Sequence, residues 1–245
     1  MSTSAFERAL DQLGRAIVAG ELPAGHADTV EGLVARTGAS RSVVREVTRV
    51  LGSLGMLSAG RRVGLRVRGA EHWDTLDPWV IRWRLALGEE GRRAQIDELR
   101  SLRRAVEPEA AAAAARTVAA GHAVPDQCER LARAGEALAQ ADDPEAFLAA
   151  DAELHAAVLA LSGSAMFVRL RRVIEEGLRD RALLERAHLA PDARDVALHG
   201  EVCRAIAAGN PAAAAAAMRE IVERTGPEDA QPASTGAPPA ENSAD

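Results

Sequence analysis

The sequence predicts a mainly α-helical protein, with a helix-turn-helix and a small β-hairpin at the front and an all-helical bundle behind. Three observations carry that prediction. Across 27–68, two apolar stripes at helical spacing flank Thr37-Gly38-Ala39-Ser40, and a hairpin pattern around Gly60-Arg61-Arg62 follows. From Ile96 to Val222 the apolar pattern is helical throughout, with no plausible strand. Gly121, Gly163 and Gly209 fall at helix ends while Pro125, Pro144, Pro191 and Pro211 fall at helix starts, the asymmetry expected of caps.

In chain order, residues 1–4 are expected to be loose. Ser4 caps a helix over 5–19 whose inner stripe is Phe6, Ala9, Leu10, Leu13 and Ile17. Gly20 ends it, and Leu22-Pro23-Ala24-Gly25 is a turn. Leu33 and Val34 mark the next helix; Val43, Val44, Val47, Val50, Leu51 and Leu54 mark the one after it. Gly38 suits the left-handed residue that closes the first, and Ser40 suits the N-cap of the second. Two strands, 56–59 and 63–68, then form the hairpin.

Residues 69–90 form a joint that holds all three tryptophans, 73, 79 and 83. Trp79 and Trp83 share a helical face with Ile81 and Leu85 nearby, which points to packing across domains; the alternative is a base-stacking platform. Six helices are expected beyond it: 92–121, 125–140, 144–162, 165–188, 192–208 and 211–224. The alanine runs at 110–115 and 212–217 read as close-packing helix faces rather than membrane spans. Residues 226–245 are acidic and rich in Pro, Ala and Ser, a composition that predicts disorder. The division is therefore 5–68, a DNA-binding head; 69–90, a helical linker; 91–225, an all-helical domain; and 226–245, a tail.

Charge separates head from body. The chain carries a net −6, yet residues 1–70 hold ten arginines against six acids, leaving −10 for the remainder. From Arg36 to Arg68 there are eight arginines and one acid, Glu46. Arg41, Arg45 and Arg49 recur every four residues, on the helical face opposite the valines. Arginines near a helix N-terminus can meet phosphates and pair with guanine edges. Cys128 and Cys203 lack CxxC spacing, and no signal peptide or membrane-length apolar run is present, so a reducing, cytoplasmic setting is expected.

A second constellation lies in the helical region. Asp151 and His155 are four apart on one helix, and His199 lies two helices later. Carboxylate plus two imidazoles is a plausible divalent-metal set, of Zn, Ni, Mn or Fe; the alternative is a pair of satisfied core histidines.

The stretch SRSVVREVTRVLGSLGML at 40–57, followed by GRRVGLRV at 60–67, resembles the winged helix-turn-helix of GntR-family transcription regulators. The resemblance implies that Ser40, Arg41, Ser42 and Arg45 contact operator DNA, with Arg49 continuing the basic face and Arg62 and Gly64 in the wing. The run WDTLDPWVIRWRLA at 73–86 is similar to the linker of GntR regulators that respond to hexonate-type sugar acids. LRRAVEP at 102–108, D-x3-H at 151–155 and H-x2-V-x2-A-I at 199–206 resemble the FCD effector-binding domain of the FadR subfamily.

Many FCD domains hold a metal by one Asp and three His, with the effector's carboxylate completing the shell. The resemblance thus implies that Asp151, His155 and His199 are metal ligands, and that Ile221 stands where the fourth is usual. Either a three-ligand site remains, completed by water or effector, or no metal is bound. Ser162-Gly163-Ser164 replaces the usual Ser-Gly-Asn. Arg103 is the residue implied to meet the effector's carboxylate; its other reading is an i,i+4 pair with Glu107 on a solvated face.

The expected protein is a non-enzymatic, ligand-responsive regulator, a repressor of a carbohydrate or sugar-acid catabolic operon. Two chains would sit on a palindromic double-stranded operator, controlled by a small carboxylate such as a sugar acid. Two alternatives compete: a metal-dependent hydrolase or lyase built on Asp151, His155 and His199, and a DNA-binding protein that answers to no effector. Against the hydrolase, no acid stands beside the ligands in an HExxH-like arrangement.

Overall fold

A computed structural model describes residues 4–60, 64–185 and 193–224. The head begins with α1 (Ala5–Val18), where Ser4 and Glu7 form a reciprocal capping box. There follow β1 (Ala27–Asp28), α2 (Val30–Thr37), α3 (Arg41–Ser53), β2 (Leu57–Gly60) and β3 (Gly64–Val67). The three strands make one antiparallel sheet in the order β1-β3-β2, with Ala27 opposite Arg66 and Leu57 opposite Val67. Gly38 adopts φ 67°, a conformation open to glycine, so α2 stops there and α3 starts three residues later behind Ser40. Leu10, Leu13, Leu33, Val44, Val47, Leu51 and Met56 fill the space between sheet and helices.

A 3₁₀ turn (Ala70–His72) leads to α4 (Pro78–Leu85), which Asp77 caps and Pro78 opens. This short helix touches both halves. Trp83 is buried in the head's core and its indole N–H donates to Asp11 at 3.0 Å. Gly14 of α1 makes room for it, since a Cβ there would lie 2.2 Å from the ring. On the other side, Ile81 packs with Leu99 and Val173 of the body. Arg82, half-stacked over Trp79, makes a two-pronged ion pair with Glu176 at 2.8 and 2.5 Å.

The body comprises α5 (Gly88–Ala119), α6 (Pro125–Gln140), α7 (Pro144–Leu161), α8 (Ala165–Arg169), α9 (Arg171–Glu185), α10 (Ala193–Ala207) and α11 (Pro211–Glu223). The long α5 packs against α7, α9, α10 and α11, and its alanines 110, 111, 114 and 115 let those helices approach closely. None of the described helices is long and apolar enough to cross a membrane.

Two readings of the elements need correction. The helix expected over 165–188 is two: Leu170 donates its N–H to Phe167 in a 3₁₀-type step that separates α8 from α9. Leu170 also packs against two different clusters, so the apolar pattern runs through the break without registering it. β1 was not expected at all, because two residues cannot display alternation. Arg62 and the tail 226–245 lie outside the described residues.

Candidate metal centre and nucleic-acid interface

Three helices of the body each turn polar side chains into the core. From α5 come Gln95, Arg103 and Glu107; from α7, Asp151 and His155; from α10, Asp195 and His199; all are buried. On α5 these residues and Leu99 recur every four positions, one continuous stripe. Burial of so many charged groups is costly unless each is paired or meets a cation.

The ligand atoms converge. Asp151 Oδ1 lies 2.8 Å from His199 Nε2 and 3.4 Å from His155 Nε2. The opposite ring nitrogens are anchored: His155 Nδ1 meets Glu107 Oε2, and His199 Nδ1 lies 2.7 Å from the Asp195 carbonyl. A carbonyl only accepts, so Nδ1 of His199 donates to it, and Nε2 of the same ring faces the Asp151 carboxylate. One carboxylate and two imidazole nitrogens brought this close are a donor set suited to a divalent cation. Donors each about 2.1 Å from one ion stand about 3 Å apart in an octahedral and about 3.4 Å apart in a tetrahedral array; the 3.4 Å separation of Asp151 from His155 matches the second and the 2.8 Å separation from His199 lies a little inside the first. Asp151, His155 and His199 therefore fit a divalent metal, with Glu107 and the Asp195 carbonyl orienting the rings.

Electrostatics agree with that fit. Burial pushes the Asp151 carboxyl up, but His155 and His199 overcome it and hold it well below the usual range. Burial likewise opposes ionisation of Glu107, yet Arg103 and His155 bring it down to about 2. His155 resists burial through Glu107 and Asp151 and rises to about 9, so in the metal-free protein it retains a proton that a metal must displace.

Arg103 does pair with Glu107, Nε to Oε1 at 2.6 Å, as the i,i+4 reading expected. The face is sealed rather than solvated, with Arg103 4% and Glu107 1% exposed, and Nη2 of Arg103 has no hydrogen-bond partner. Ile221 is fully buried in the apolar core of the body and supplies no donor atom. One supporting acid, Glu107, and one supporting backbone carbonyl, that of Asp195, escaped the sequence reading. Asp195 repeats the D-x3-H spacing four residues before His199, a signal that was present; Glu107 was read only as a partner for Arg103.

At the opposite end of the chain, Ser40, Arg41, Ser42, Arg45 and Arg49 are all exposed along the N-terminal part and outer face of α3. Ser40 accepts from Val43 N–H and its hydroxyl lies 3.0 Å from that of Ser42. The side chains of Arg45 and Arg49 make no hydrogen bond or ion pair among the described residues, whereas that of Arg41 pairs with Glu31 at 3.0 Å. Gly64, φ 73°, opens the returning strand of the hairpin and is exposed; a Cβ there would meet the Asp28 carbonyl at 2.7 Å.

The FCD domain family matches residues 98–224, the segment that contains Arg103, Asp151, His155 and His199. No curated protein matches the chain. Among solved structures, Lar, which controls the expression of the Listeria monocytogenes agr system, superposes with a TM-score of 0.55 at 16% identity, covering 92% of this chain and 96% of its own. Its likeness concerns the fold. Streptococcus agalactiae GntR (TM-score 0.47, 23% identity, 89% and 97% covered) and E. coli McbR/YncC (0.49, 17%, 91% and 95%) are also similar.

Proposed function

We propose, from the premise that this chain belongs to the FCD family and is a FadR-like GntR transcription regulator rather than an enzyme, a specific mode of control. Membership makes it a ligand-responsive regulator and removes the metallohydrolase alternative. The finer reading is a cytoplasmic, dimeric repressor of a sugar-acid catabolic operon. Two α3 helices, through Ser40, Arg41, Ser42, Arg45 and Arg49, would enter successive major grooves of a palindromic operator, with the hairpin around Arg62 and Gly64 along the backbone. A small carboxylate would bind near Arg103 and the Asp151/His155/His199 group.

The observation that carries the effector half is the unpartnered Nη2 of a buried Arg103, beside a group whose two Nε2 atoms face one carboxylate, that of Asp151. A bound divalent ion would supply a Lewis-acidic anchor for an effector oxygen. Asp151, His155 and His199 would hold it, Glu107 and the Asp195 carbonyl would keep the imidazoles aimed, and Arg103 would orient the effector's carboxylate. To switch operator occupancy from 99:1 to 1:99, the effector must favour one state by about 5.5 kcal/mol.

The test is a thermal-shift screen of sugar acids and other hydroxycarboxylates, with and without divalent metal, followed by gel shifts on the chain's own upstream DNA. A stabilising acid that also changes DNA binding supports the reading. A second reading, a regulator without an effector, draws on Ile221, which removes a donor from the usual set; DNA binding unaffected by any stabilising acid would favour it.

A further inference from the structure

Of the exposed acids beside the basic face of the head, Glu31 is paired with an arginine of α3. Glu31, in the first turn of α2, places Oε1 3.0 Å from Nη2 of Arg41, the first residue of α3, and both side chains are more than half exposed. An exposed pair of this kind adds little to stability. A carboxylate on a face that approaches a polyanion also works against phosphate contact. Its place beside the leading arginine of α3 therefore needs another purpose.

The major-groove edge of a G·C pair presents two acceptors, guanine N7 and O6, followed by a donor, cytosine N4–H. The guanine O6 and cytosine N4 are joined by a base-pair hydrogen bond and so lie about 2.9 Å apart. Arg41 and Glu31 present the complementary row, guanidinium donors and then a carboxylate acceptor, at nearly the same separation. We propose that Arg41 and Glu31 together read one G·C base pair, Arg41 donating to guanine while Glu31 accepts from cytosine N4 and holds the guanidinium in plane. Glu31 is then a specificity determinant that trades generic affinity for discrimination. This inference rests on the reading of α3 as the DNA-contacting helix.

The test starts by selecting duplexes from a random-sequence library with the full chain, then measuring gel-shift affinities for wild type, Glu31→Ala, Glu31→Gln and Arg41→Ala. The relevant position is the base pair whose preference Arg41→Ala relaxes. Replacing its cytosine by N4-methylcytosine puts a methyl in place of the exposed N4 proton. Wild type should lose about tenfold in affinity and Glu31→Ala less than twofold, with Glu31→Gln between them. Glu31→Ala should also bind random-sequence duplex more tightly than wild type. Equal loss by wild type and Glu31→Ala, or no loss by wild type, overturns the proposal while leaving α3 as the reading helix. A chain that enriches no duplex overturns the DNA-binding reading itself.

Discussion

Nε2 of His199 stands 2.8 Å from Oδ1 of Asp151, an imidazole and a carboxylate brought face to face in a sealed core. A proton or a metal ion between them balances the buried carboxylate, and which of the two is present governs most of what can be measured on the body of the protein.

The first expectation is metal uptake. Equilibrium dialysis against Zn²⁺ or Ni²⁺ should give about one ion per chain, with melting temperature rising as free metal increases. His199→Ala should lose the ion and the concentration dependence together. A melting curve indifferent to both ions in the wild-type chain would refute the centre.

Acidity should act in opposite directions with and without metal. His155 in the folded, metal-free chain titrates at about 9, above its ordinary 6.5, so the stability it contributes is complete below 6.5 and fades as pH climbs through 9. Glu107, lowered from 4.5 to about 2, contributes stability above 4.5 that is lost as pH falls toward 2. Urea midpoints of metal-free protein should therefore be highest between those limits. Metal affinity should instead rise about tenfold per pH unit on the way from 6.5 to 9, as the competing proton leaves.

Glu107→Ala should be costly in a way that a second change relieves. The single substitution leaves the Arg103 guanidinium buried without its carboxylate, a loss of about 3–5 kcal/mol. Adding Arg103→Met removes the stranded charge and should recover a good part of that loss in denaturant titrations. Additive losses would contradict the pairing.

The joint can be tested from the head side. Trp83→Ala empties a fully buried site and should cost about 3–5 kcal/mol. Gly14→Ala should also destabilise, because its methyl would meet the Trp83 ring unless α1 and α4 separate. Wild-type stability in Gly14→Ala would contradict the close approach.

For DNA, Arg45→Ala should weaken binding and reduce the slope of log affinity against log salt by about 1 if the residue meets a phosphate. Ser40→Ala should cost about 1 kcal/mol of head stability through the lost cap on Val43 N–H.

Much of this architecture was legible in the residues because it is written locally. Gly38 and Ser40 encode the turn before α3 by backbone preference, and prolines 125, 144 and 211 mark the starts of α6, α7 and α11. The break at Leu170 was illegible because both sides of it are helical and apolar. β1 was illegible because its pairing with β3 is a tertiary event between two residues and a distant strand. The convergence of Asp151, His155 and His199 could be suspected from spacing and resemblance, but their burial and the roles of Glu107 and Asp195 depend on how α5, α7 and α10 pack.

Trp73, Trp79 and Trp83 all lie at the joint between head and body, and the chain contains no tyrosine. Ultraviolet emission from the unmodified protein is accordingly a single-location signal, blind to the helical body and to α3. A spectral shift on adding DNA or a small molecule would report movement at that hinge with no label attached.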